Sequence, residues 1–164
     1  MPSSVDYAAR SSKSRRYAAA QSATELALIV PAMVFALLAA VEMGRLGYLA
    51  MTVDDAARAG AQYGAENYTT DADFSGMRQA AINDASNIDG ADWWGSSAGF
   101  SASAINFCQC ADGTNVSCAS GSCSSGVPAI FVQVKTQANY VPMFDYPGLP
   151  AHFTLKGSAT MRVQ

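Results

Sequence analysis

An uninterrupted apolar run, Leu26 to Val41, constrains this chain more than any other feature. Its sixteen residues contain no charge and no glycine, and Glu25 stands directly before it. A bilayer span needs about 20 apolar residues, and Met43, Leu46, Tyr48, Leu49 and Met51 extend this run enough for a tilted helix to cross. Pro31 falls inside it. Membrane helices tolerate such a proline, with a mild kink or local loosening as the expected consequence. No break signal separates the run from VEMGRLGYLAMTVDDAARAGAQYGAENY. The pattern therefore predicts one long helix, its first half in a membrane and its second half in water.

Charge sets the direction of the span. Residues 1 to 24 carry Arg10, Lys13, Arg15 and Arg16 against Asp6 alone, whereas acids outnumber bases after residue 43. By the positive-inside rule the N-terminus is cytoplasmic and the C-terminal part is exported. Hydrophobic residues make up 50% of the 164 and charged residues 14%, which fits a modest domain with an anchor. The formal net charge of −3 and the acidic distal part argue against nucleic-acid binding. A secretory signal peptide would need small residues just after the run. Val41, Glu42 and Met43 stand there, while Ala18, Ala19 and Ala20 lie before it. That asymmetry points to cleavage ahead of the run with the span retained.

The distal part reads as a small α+β domain. Residues 1 to about 15 are Ser-rich and basic and read as a disordered leader. Leu49, Val53, Ala56, Gly60 and Gly64 recur at helical spacing, with Asp54, Asp55, Arg58, Gln62 and Glu66 mostly between them. Ala56, Gly60 and Gly64 form a small-residue ladder that admits a second backbone, either of this chain's own domain or of another helix in an assembly. Asn67 to Gly76 reads as a loop, and Met77, Ala81, Ala85 and Ile88 mark a short helix ended near Asp89-Gly90. Phe100 to Phe107 is a weak strand. Ile130 to Tyr140 and Phe153 to Val163 alternate apolar with polar residues, the signature of half-buried strands. The proline-rich connector between them is a loop. The expected architecture is a long N-terminal helix followed by a small antiparallel sheet covered on one face.

Cys108, Cys110, Cys118 and Cys123 fall within sixteen residues of a Ser/Gly-rich segment on the exported side. An even count there implies structural disulfides. One residue separates Cys108 from Cys110, so each is expected to pair across to Cys118 or Cys123, in either of the two connectivities. The spacing does not suit a zinc knuckle or a Cys-x-x-Cys redox pair. His152, the one histidine, begins a strand and reads as a surface residue. The acid pairs Asp71/Asp73 and Asp89/Asp92 lack the spacing of a calcium loop. Trp93-Trp94 reads as an anchor for a loop. Asn115-Val116-Ser117 matches a glycosylation sequon, which reads as chance in a bacterial-looking protein. No catalytic, metal-binding or cofactor motif is present, so no enzymatic activity and no cofactor is expected.

Taken in order, Arg15-Arg16, a small-residue stretch, Glu25, the apolar run with its early Pro31, Gly44-Arg45, and the segment Asp55-Ala56-Ala57-Arg58-Ala59-Gly60-Ala61-Gln62-Tyr63 resemble the TadE-like minor pilins, or pseudopilins, of tight-adherence (Tad/Flp) pilus systems. The resemblance covers residues 15 to 66. It implies cutting by a prepilin peptidase so that Glu25 becomes the fifth residue, which places the processing site at Ala20-Gln21. Alanine stands before the cut where such substrates favour glycine. The implied organisation is a cytoplasmic leader over 1–20, an anchor and assembly helix over 21–66, and a periplasmic or extracellular domain over 67–164. The implied role is support of pilus assembly by helix packing, with other pilins and minor pilins, the inner-membrane assembly platform, the peptidase and membrane lipid as partners. Glu25 at the apolar boundary favours a cationic partner, and the amine freed at Gln21 of a neighbouring subunit is the natural one. The alternative is an exported binding or adhesin domain that is merely tethered and never processed.

Overall fold

In a computed structural model the backbone is described for residues 4–88, 98–143, 148 and 150–164, and side chains from residue 23 onward, with Ala98 excepted. Two compact units divide the chain, Met1–Met43 and Gly44–Gln164. Helix α1, Ser4–Ala65, runs through both. It starts inside the polar leader that composition assigns to disorder, a correction with a local cause. Between Val5 and Val30 no glycine or proline interrupts a sequence rich in Ala, Arg and Ser, and the first two of these carry good helix propensity. The helix also continues through Pro31.

In the first unit every described residue from Ala23 to Val41 is exposed. Leu28 is 77% exposed and Phe35 71%, seven residues apart on one side of the helix, and Leu37 on the opposite side is 65% exposed. Among the described residues, the apolar side chains from Ala23 to Val41 are therefore not buried within the molecule.

The second unit is built on a four-stranded sheet in the order β2-β1-β3-β4, antiparallel at each neighbouring pair. The strands are β1 (Ala98–Gln109), β2 (Asn115–Val116), β3 (Ala129–Tyr140) and β4 (Phe153–Arg162). β3 and β4 pair without a slip from Phe131↔Arg162 to Tyr140↔Phe153. β1 pairs with β3 from Gln109↔Ala129 to Ser101↔Gln137, and the register shifts between Ser101 and Ala98, where Gly99 takes a φ of 79°. The alternation visible in the sequence of β3 becomes two faces: Val132, Val134, Thr136, Ala138 and Tyr140 are buried, and the residues between them are half-buried or exposed. The same period-2 logic faces Gly157 and Val163 inward at the end of the sheet formed by β4.

Helix α2, Phe74–Asp84, continues into a 3-10 turn over Ala85–Asn87. Met77, Ala81, Ala85 and Ile88 are its buried positions, as the spacing predicted. The core joins them to Leu49, Val53, Ala56 and Ala61 of α1 and to Val132, Val134, Ala138, Tyr140 and Val163 of the strand region. Each fully buried Val or Met stabilises the domain by about 1.5–3 kcal/mol before conformational entropy is counted. The architecture is α+β: a long N-terminal apolar helix, then a small antiparallel sheet carrying two disulfides. Trp93-Trp94, Asp89 and Asp92 lie outside the described residues.

Candidate functional site: the apolar helix and its mounting

The residues that matter fall into two groups, those on the apolar part of α1 and those that fix the later part of α1 to the domain. In the first group, Ala20 and Gln21 belong to the backbone of α1, and their side chains lie outside the described set. Glu25 is exposed and opens the apolar segment. A helix apolar all round needs lipid or other helices around it. Ala23–Ala65 qualifies as a candidate membrane span, with a mean hydropathy of 2.4 in its most apolar stretch and none of that stretch buried within the molecule.

The second group mounts the helix. The hydroxyl of Thr136 donates to the backbone oxygen of Val53 at 2.6 Å, in a buried position. Gly157 lies so close that a Cβ there would stand 2.6 Å from Val53 O and 2.9 Å from Asp54 Cα. The middle of the β3–β4 pair thus touches the backbone of α1 directly. Arg45 sits 5.4 Å from the ring centre of Tyr140, a cation–π contact worth about 0.5–1 kcal/mol where exposed. The Asn87 amide donates to the Tyr48 hydroxyl. On the outer side of the helix Arg58 pairs with Asp54 at 2.7 Å and Asp55 at 3.3 Å, an exposed arrangement that contributes little.

The small-residue ladder belongs to this mounting. Ala56 is completely buried in the core. A Cβ at Gly60 would meet Met77 O at 2.7 Å and Val134 Cγ1 at 3.1 Å. One at Gly64 would meet the end of Met77, with Cε at 2.5 Å and Sδ at 2.7 Å. Of the two partners the sequence leaves open for this ladder, the structure seats the chain's own α2 and β3. Within this chain the ladder thus serves packing of α1 on its own domain at Gly60 and Gly64.

Asp73 was not legible as a structural residue, because Asn67–Gly76 reads as loop. It is the N-cap of α2, accepting from Gly76 N–H at 2.9 Å, from the Ser75 hydroxyl at 2.7 Å and from the Tyr63 hydroxyl at 2.9 Å. The hydrogen bond from Ser75, followed by those from Gly76 and Tyr63, holds its carboxyl below the usual range. An Asp three residues before Gly76, ahead of an apolar periodicity, was the available signal.

Cys108 joins Cys118 and Cys110 joins Cys123, with Cα–Cα distances of 5.1 and 5.6 Å. This selects one of the two connectivities the spacing left open, and no described cysteine is free. Within the stapled segment, Asn115–Val116 pair with Gln109 and Cys108 as β2, a strand too short to show in the sequence. Asp112 accepts from the Thr114 hydroxyl and from its N–H at 3.0 Å, which closes the turn and lowers the Asp112 pKa. Among the described residues no cluster of three or more His, Cys, Asp or Glu is placed to hold a metal ion. His152 is exposed just before β4.

Comparison with known proteins then bears on the first group. Residues 20–62 match the family model of TadE-like proteins. The matched segment starts at Ala20, takes in Glu25 and the whole apolar run, and ends within the mounted part of α1. No curated protein and no solved structure matches the chain. The TadE-like segment is thus the helix, and the sheet domain with its disulfides lies beyond it.

Proposed function

We propose that this chain is a minor pilin, or pseudopilin, that supports assembly of a tight-adherence pilus, acting by helix packing and not by catalysis. The observation that carries this is the TadE-like helix itself: apolar on every side from Leu26 to Val41, exposed throughout, and headed by an acid. Such a surface is satisfied first by lipid and later by apolar helices of pilins and minor pilins. The exchange is cheap because lipid tails and helix side chains are similarly apolar. In this proposal the basic leader keeps the N-terminus cytoplasmic and the disulfide-bearing domain is exported to the periplasm or onto the pilus. A prepilin peptidase cuts between Ala20 and Gln21, and the freed amine of one subunit pairs with Glu25 of its neighbour. The assembly platform of the inner membrane is the remaining partner.

The test is the intact mass and N-terminal sequence of the protein from its native host, with and without the prepilin peptidase. A new N-terminus at Gln21 that depends on the peptidase is the expected result. An uncleaved chain in both strains would instead make the helix a permanent tether. Glu25→Ala is expected to leave membrane insertion intact and to reduce piliation. Normal pili in that variant would remove Glu25 from the mechanism.

A further inference from the structure

The helix does not account for the other face of the sheet, and that face has a charge pattern unlike the rest of the domain. None of the residues of β1, β3 and β4 is Asp or Glu, in a protein whose acids outnumber its bases by 13 to 10. Lys135, Lys156 and Arg162 all project from the uncovered face and are exposed. Among the described residues neither lysine is in an ion pair.

The register arranges these groups in two rows across the strands. Ser103, Lys135 and Ser158 stand opposite one another in one row, and Ser101, Gln137 and Lys156 in the next. All six are exposed. Between the rows the inward-facing residues Ala102, Thr136 and Gly157 contribute only backbone to this side, leaving a shallow groove of about 440 Å³ floored by the sheet. Each wall has one ammonium, and hydroxyl and amide groups fill the remaining positions. Further along the same face Phe107 and Phe131 stack at 5.5 Å between ring centres, beside the half-exposed Ile105.

We propose that this groove binds an acidic polysaccharide, a polymer of sugars bearing carboxylates. The lysines face well-separated carboxylates, the serines and Gln137 exchange hydrogen bonds with sugar hydroxyls, and Phe107, Phe131 and Ile105 offer an apolar surface to the C–H faces of the rings. An open trough across three strands admits a continuous chain, where a small molecule would need an enclosed pocket. Two flexible point charges set on opposite walls suit single carboxylates carried on separate sugars. The dense charge of a phosphate polymer is better met by arginine forks or converging backbone N–H groups, and the trough contains neither. This inference does not depend on processing or on entry into a pilus.

Full-length protein in neutral detergent, titrated with polygalacturonate, tests it. Dextran, polyphosphate and vesicles containing phosphatidylglycerol serve as comparators. Polygalacturonate is expected to bind, more weakly as salt rises. The exposed double substitution K135Q/K156Q is expected to weaken binding by roughly ten-fold or more, since two charge-assisted contacts are lost. K135R/K156R should restore it, and Arg78→Gln on α2 should leave it unchanged. Circular dichroism and thermal melting confirm that the variants fold. The proposal is overturned by absence of polygalacturonate binding, by equal binding of dextran, by a K135Q/K156Q variant that binds as the parent does, or by tighter binding to polyphosphate or to the anionic vesicles.

Discussion

Gly60 and Gly64 look alike in the sequence and differ in what surrounds them. Replacing a helical glycine by alanine gains about 1 kcal/mol of helix propensity. At Gly60 the new methyl would press on the backbone oxygen of Met77, which cannot yield without moving α2, and would crowd the Val134 methyl. Gly60→Ala should therefore destabilise the domain by about 1–3 kcal/mol, the range for overpacking. At Gly64 the obstacle is the flexible end of Met77, which can take another rotamer. Thermal unfolding of the two variants should show a clear drop in Tm for Gly60→Ala and a much smaller change for Gly64→Ala. Asp73 gives a pH-dependent expectation. Its carboxyl titrates below the ordinary value in the folded protein. The stability it contributes is thus present above the unfolded pKa of about 3.9 and is lost as pH falls through the lower folded value. Asp73→Asn should lower Tm at pH 7, and the deficit should shrink as parent and variant are melted at successively lower pH toward 3. A deficit independent of pH would assign the effect to packing instead.

At the scale of elements, the segment from Cys110 to Gly126 shows what disulfides do for a stretch with little to bury. Its residues are almost all exposed or half-buried, and its only strand pairing is the two-residue β2. Two cross-links, separated by 10 and 13 residues in sequence, close its loops. Loops near that size are stabilised by about 3 kcal/mol per bond in the chain-entropy model. β3 and β4 depend on register and core burial, not on those bonds. Mild reduction should therefore abolish amide-exchange protection at Asn115 and Val116 while β3 and β4 keep theirs. Loss of protection across the whole sheet would show that the disulfides hold the fold together and not only the loop. The strong alternation of β3 and β4 made these strands legible in advance, because one buried face imposes period 2. β2 was not legible, since two residues carry no period, and its pairing follows from Cys108–Cys118 drawing the chain back beside β1.

On the scale of the whole molecule, the hydrophobic core contains no described residue from the first unit; the partly buried residues around it begin at Leu46. The sheet domain should then fold without the apolar run. A fragment comprising residues 44–164, made under oxidising conditions, is expected to show β-sheet circular dichroism and a cooperative melt. A fragment lacking a cooperative transition would mean that the earlier part of α1 stabilises the domain.

The amino-acid sequence alone determined that the chain has an apolar helix needing an outside partner, since sixteen uncharged residues behind a glutamate admit few other fates. It also determined the α+β class and the two long strands, because periodicity records which face is buried. The sequence left the occupant of the small-residue ladder open, because Ala56, Gly60 and Gly64 specify only that some backbone comes close. Within this chain, tertiary structure brings the backbone of α2 to Gly60, beside the Val134 side chain of β3, and the Met77 side chain to Gly64. It chose the disulfide connectivity, which depends on where β2 returns, and it aligned Lys135 with Lys156 across one groove. These last features depend on residues far apart in sequence meeting at one place, and a periodic pattern has no term for that.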